Sequence, residues 1–168
     1  MKEYLLERSA RVPCERYQVF QFFSQAENLG RITPPELGFR ILSEIPVRMD
    51  AGATIDYTIL LYGFPLRWRT EITDWNPPHS FQDTQKKGPY SSWIHTHRFI
   101  AEPDGTTTIE DSVRYSLPFG ILGRLVHPLV SRQLSRIFDY RQKVITQLFA
   151  DDLGRVRIQR RRNRLLRA

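Results

Sequence analysis

Cysteine is almost missing from this chain of 168 residues: Cys14 is the only one. A lone thiol makes no intrachain disulfide, and it cannot supply the several thiolates of a cysteine-rich zinc site or an iron–sulfur cluster. No apolar run approaches the roughly 20 residues that a membrane-spanning helix needs, which argues against a transmembrane protein. The opening Met1-Lys2-Glu3-Tyr4-Leu5-Leu6-Glu7 carries acids where a signal peptide would carry its apolar stretch. A cytoplasmic protein without disulfides is the expectation. Walker, GxGxxG and GxSxG motifs are missing as well, so nucleotide and acyl-hydrolase chemistry have no motif to rest on. No internal repeat or low-complexity segment precedes the C-terminal tail.

What is present is enough for one sizeable core: 40% of the residues are hydrophobic and 12% aromatic. At about 150 residues per domain the chain is a single domain with a little to spare. Its net charge of +7 comes from one end. Residues 154–168 hold seven arginines and no acid, leaving 18 basic and 18 acidic side chains in residues 1–153. A neutral body with a basic tail is not a basic groove, so no specific nucleic-acid partner is expected. Residues 151–168 read first as a solvated, self-repelling, disordered extension. Weak contact of Arg155–Arg167 with an anionic membrane is the alternative.

Loose alternation over residues 3–12, ended by Pro13, predicts a first strand. From Glu15 the apolar positions Tyr17, Val19, Phe20, Phe22 and Phe23 predict a short helix reaching towards Asn28-Leu29-Gly30, and Pro34-Pro35 should end any helix. Six alternating segments follow, at 38–45, 53–62, 66–75, 79–86, 92–101 and 106–116. Turn signals such as Asn76-Pro77-Pro78, Gly88-Pro89-Tyr90 and Pro103-Asp104-Gly105 separate them, and gaps this short predict antiparallel hairpins. Beyond Pro118 the period becomes 3.6. One stripe through Val126, Leu134, Phe138, Arg141, Ile145 and Phe149 predicts a long amphipathic helix, with its start or a kink at Pro128.

These elements predict an α+β domain over residues 1–150, in which an antiparallel sheet of about seven strands curls around a long C-terminal helix and two short helices follow strand 1. That order resembles the helix-grip superfamily known as START-like, Bet v 1-like or SRPBCC. Ile55-Asp56-Tyr57, Trp68-Arg69-Thr70, Asp83-Thr84-Gln85, Gly88-Pro89-Tyr90, Trp93-Ile94-His95-Thr96-His97 and Ile137-Phe138-Asp139-Tyr140-Arg141 are similar to a bacterial group of ligand-binding SRPBCC proteins. The resemblance implies a cavity between sheet and helix. It implies as ligand a small hydrophobic or aromatic molecule, polyketide-, isoprenoid-, lipid- or sterol-like.

Strand parity supplies the chemistry. Side chains two apart share a face, so Trp93, His95, His97 and Phe99 point the same way, and the two aromatics make that the buried way. Phe81 carries Asp83 and Gln85 with it, and Ile109, Val113 and Tyr115 carry Asp111. If Gly88-Pro89 lies mid-hairpin, Asp83 falls opposite His95, and the Asp104-Gly105 turn puts His97 near Asp111. Two Asp–His pairs are expected. Such buried groups must satisfy one another, hold water or meet a ligand. Three roles stay open: a network pinning register, ligand recognition, or general acid–base catalysis of a cyclase or dehydratase kind by His95 or His97, oriented by Asp83 or Asp111. His-x-His with two aspartates is chemically adequate for zinc or iron, but the aspartates explain oriented histidines without an ion, and neither a metal nor a cofactor is expected.

Tyr57, Trp68, Phe81, Trp93 and Tyr115 from the sheet, with Phe138 from the helix, complete the expected lining. Arg141 interrupts the apolar stripe. It either snorkels to the rim, the reading favoured here, or meets a buried acid or a ligand anion.

Overall fold

The computed structural model describes residues 2–61 and 63–165, with side chains described up to Asp151. Seven strands form one antiparallel sheet: β1 (Glu3–Val12), β2 (Arg40–Ile41), β3 (Thr54–Leu61), β4 (Phe64–Asn76), β5 (Ser80–Lys87), β6 (Ser92–Ala101) and β7 (Thr107–Ser116). Their spatial order is β1-β7-β6-β5-β4-β3-β2. Every neighbour from β3 to β7 is reached by a hairpin, the longer connection 42–53 joins β2 to β3, and β1 closes against β7 at the far edge. The short turns account for this order, since gaps of a few residues leave no room for a crossover.

Two helices complete the domain, α1 (Arg16–Phe23) and α2 (Ile121–Leu165). The second helix expected after strand 1 is 3₁₀ in character: α1 stops at Phe23 and the chain continues through 3₁₀ turns at Ala26–Ile32 and Pro35–Leu37. Pro34 caps the second of these and Pro35 opens it, so the proline pair starts a helical turn where the sequence suggested only a stop. A missing N–H costs nothing at that position. The segment 38–45 yields only two strand residues, because Leu42 and Ser43 both donate their N–H to the single carbonyl of Asp56 and the ladder ends.

Pro128 neither starts nor breaks α2. The helix begins seven residues earlier, where Phe119 (φ 64) and Gly120 (φ 55) adopt left-handed backbone and turn the chain out of β7. Proline at the eighth helical residue loses one intrahelical hydrogen bond, and does so near the N-terminal end of a long helix. The backbone of α2 continues through Leu165. The arginine side chains beyond Asp151, and the membrane contact suggested for them, lie outside the described residues.

The concave face of the sheet and α2 bury two apolar clusters. One gathers Phe20, Phe81, Phe99, Ile109, Ile145 and Phe149; the other gathers Trp68, Trp93, Val113, Tyr115, Leu134 and Phe138. Between them, level on each element, stands a polar layer. On β6, His95 and His97 separate Trp93 from Phe99; on β7, Asp111 separates Val113 from Ile109; on α2, Arg141 separates Phe138 from Ile145.

Candidate functional site

Register builds the layer. Asp83 pairs with His95 across β5–β6, and His97 pairs with Asp111 across β6–β7, as the turn positions predicted. Pleat alternation then turns all four side chains to the concave side, with His95, His97 and Asp111 each 4% exposed.

The four do not form two separate pairs. Asp111 Oδ1 accepts a hydrogen bond from His95 Nε2 at 3.0 Å and lies 2.7 Å from His97 Nδ1, a close ionic contact whose angle departs from a hydrogen bond. Asp83 Oδ2 faces the other nitrogens, His95 Nδ1 at 3.4 Å and His97 Nε2 at 3.5 Å. The imidazole centroids are 3.8 Å apart, so each ring is held between both carboxylates in one tetrad. Two residues apart on one strand, the histidines reach the same partner because the β6–β7 register places Asp111 beside both.

Charge in the tetrad is unevenly shared. Burial and the neighbouring charge of His97 push the His95 pKa below its ordinary value. Burial also opposes the charged form of His97, but the Asp111 carboxylate and then Asp83 outweigh it and raise that pKa. Burial would lift Asp111; the charge of His97 and contacts to both imidazoles overcome this and hold it well below the carboxylate range. These opposed shifts keep Asp111 ionised and make His97 the more readily protonated of the two imidazoles.

Above the tetrad lies a cavity of about 400 Å³ between sheet and α2. Of the expected lining, Tyr57, Trp68, Phe81, Asp83, Trp93, His95, His97, Phe138 and Arg141 border it. Three expected residues do not. Asp111 stands behind the histidines, and Tyr115 packs beneath Tyr4 and Tyr90 with its hydroxyl 3.2 Å from His127 Nε2. Gln85 folds back on its own hairpin, donating to the Tyr90 carbonyl at 2.8 Å and filling the space a side chain at Gly88 would need. Parity assigned their face correctly, but a shared face does not bring a side chain to the cavity.

Arg141 does not snorkel. It is 8% exposed, borders the cavity, and holds its guanidinium 5.0 Å from the Phe138 ring centroid. Sequence reasoning also missed the wall supplied by Phe23 at the end of α1 and by Leu29, Ile32 and Phe39 from the segment after it, by Tyr90 from the Gly88-Pro89 loop, and the mouth, where Phe119, Leu122 and Val126 are exposed yet border the cavity. The crowding of apolar residues in 19–39 was the available signal for the first group.

The arrangement and the sequence agree with a known family. A model described as polyketide cyclase / dehydrase and lipid transport matches residues 12–139. The chain belongs to that family. No curated protein matches it by sequence. Among solved structures, the Zhui aromatase/cyclase from Streptomyces sp. R1128 superposes with a TM-score of 0.73 at 12% identity, covering 90% of this chain and 96% of that one. TTHA0849 from Thermus thermophilus gives a TM-score of 0.65 at 20% identity over 90% and 99% of the two chains. Norcoclaurine synthase from Thalictrum flavum, solved in complex with dopamine and hydroxybenzaldehyde, gives 0.63 at 15% identity over 87% and 88%. At these identities the likeness is one of fold, and this member of the polyketide cyclase/dehydrase and lipid transport family has the helix-grip fold, a curved antiparallel sheet around a long C-terminal helix. Among the described residues no helix is long and apolar enough to cross a membrane.

The tetrad is the buried titratable part of the site. Asp83, His95 and His97 also place one ligand atom each within 4.8 Å of one another, a donor set suited to a divalent transition metal with Asp111 behind both rings.

Proposed function

We propose that the protein binds a small, largely apolar molecule, polyketide-, isoprenoid-, lipid- or sterol-like, in the cavity between sheet and α2. One observation carries the reading: a preformed space of about 400 Å³ whose walls are predominantly aromatic and aliphatic, with a few polar groups and one buried polar layer. Ligand pockets run from about 300 to 1,000 Å³ and are built in this way, apolar walls for affinity and a few fixed polar groups for orientation. A core with no guest would close on itself, since protein interiors pack to the density of organic crystals. Exposed Phe119, Leu122 and Val126 give the ligand an apolar way in. Native mass spectrometry of the full chain purified from its own host tests this directly. A co-purifying molecule of a few hundred daltons, released on denaturation and rebound by stripped protein, is the expected result.

A second reading has its own support. His95, its pKa lowered, beside His97, its pKa raised, offers a base and an acid bordering one cavity within reach of one bound molecule, which suits a cyclase or dehydratase reaction. With the native ligand in hand, His95→Gln should abolish turnover while leaving affinity within about threefold, because acid–base groups act on the transition state more than on binding. Binding without turnover in the wild type leaves the carrier reading alone.

A further inference from the structure

We propose that the cavity's ligand carries an oxyanion, a carboxylate or an acidic phenol or enol, that pairs with the guanidinium of Arg141. The inference rests on the binding reading above and narrows it to a chemical class.

Arg141 keeps its charge under all physiological conditions and offers only donors. It lies in the polar layer, 8% exposed, among Phe138, Ile145 and the cavity. Its Nε is buried without a hydrogen-bond partner, and no carboxylate pairs with the guanidinium among the described residues. Asp83, the nearest candidate by layer, is engaged with both histidines at 3.4 and 3.5 Å. The Phe138 ring gives partial compensation by cation–π attraction, but it accepts no hydrogen bond in the plane of the guanidinium.

A second donor-only group shares the predicament. Trp68 Nε1 is buried in the cavity wall with no partner. Tyr57 borders the same space, and burial together with the charge of Asp83 keeps its phenol protonated. Among the described lining residues the only carboxylate is Asp83, already engaged with both imidazoles, so the guanidinium is left without an acceptor and without an opposite charge of its own. An oxyanion on the guest supplies both, and the apolar remainder then lies against Trp68, Trp93 and Phe138. Arginine suits a planar carboxylate in particular, through paired N–H donors.

The test compares two probes of one shape, 2-naphthoate and 2-naphthamide, by isothermal titration calorimetry at pH 7.5 on the full-length wild type, Arg141→Met and Arg141→Lys. The wild type should bind naphthoate about tenfold or more tightly than the amide, the ratio expected of a charge-assisted pair. Arg141→Met should erase that preference while holding naphthamide within about threefold, and Arg141→Lys should keep part of it. Arg141→Met should also melt no lower than wild type, since an unpaired buried charge has been replaced by packing. Equal affinity for the two probes in the wild type, read without any variant, overturns the proposal and leaves the cavity reading standing. A preference that survives in Arg141→Met also overturns it. Binding of neither probe overturns both.

Discussion

His97 Nδ1 lies 2.7 Å from Asp111 Oδ1, directly across the β6–β7 ladder, and the same oxygen accepts the hydrogen bond of His95 at 3.0 Å. One buried carboxylate therefore contacts two cavity-lining imidazoles without touching the cavity itself. Exchanging it for an amide should be felt in both rings.

Asp111→Asn should lower stability by about 3–5 kcal/mol, the usual cost of leaving one member of a buried ionic set uncompensated. It should also bring the His97 pKa down, because the carboxylate that outweighs burial has gone. Urea unfolding and histidine-edited NMR read these together. An unchanged His97 titration would show that Asp83 alone sustains its charge.

The pH dependence of stability follows from the two opposed histidines. His95, lowered in the folded state from 6.5, binds fewer protons than its unfolded counterpart as pH falls below 6.5, so stability drops there. His97, raised from 6.5, contributes stability that is full below 6.5 and lost as pH rises through its folded pKa. A shallow maximum near pH 6.5 in the urea midpoint is expected. In His97→Gln the falling limb above 6.5 should vanish while the acid limb remains. A wild-type profile still rising from pH 6.5 to 8 would contradict the assignment of charge to His97.

Of the three tryptophans, Trp68 and Trp93 border the cavity and meet edge to face at 5.3 Å, whereas Trp75 packs on Phe20 and Phe81. A cavity ligand should change the emission of the first two only. The double variant Trp68→Phe/Trp93→Phe should retain fluorescence from Trp75 and lose the ligand response. A response carried by Trp75 would place the ligand elsewhere.

Removal of residues 154–168 should leave the melting temperature within a few degrees of wild type. This segment carries seven arginines with little apolar surface to offset ordering. Differential scanning calorimetry of the chain ended at Leu153 reads it, and a larger loss would mean that the segment packs on the body.

The sequence alone settled whatever a short-range rule controls. Period-two alternation put His95 and His97 on the buried face beside Trp93 and Phe99, and turns of a few residues fixed which strands were neighbours, so the pairings Asp83↔His95 and His97↔Asp111 were legible before any coordinates. Alternation tells faces apart, not distances along a side chain. It therefore treated Gln85, Asp111 and Tyr115 as cavity residues, when one folds onto its hairpin and two stand behind others. The merger of two Asp–His pairs into one tetrad, the proton left on His97 in preference to His95, and the burial of Arg141 were decided by the tertiary structure. Each depends on how α2 lies across the concave sheet and how deeply it buries that layer. Contacts and desolvation of that kind join residues far apart in the chain, and no local periodicity encodes them.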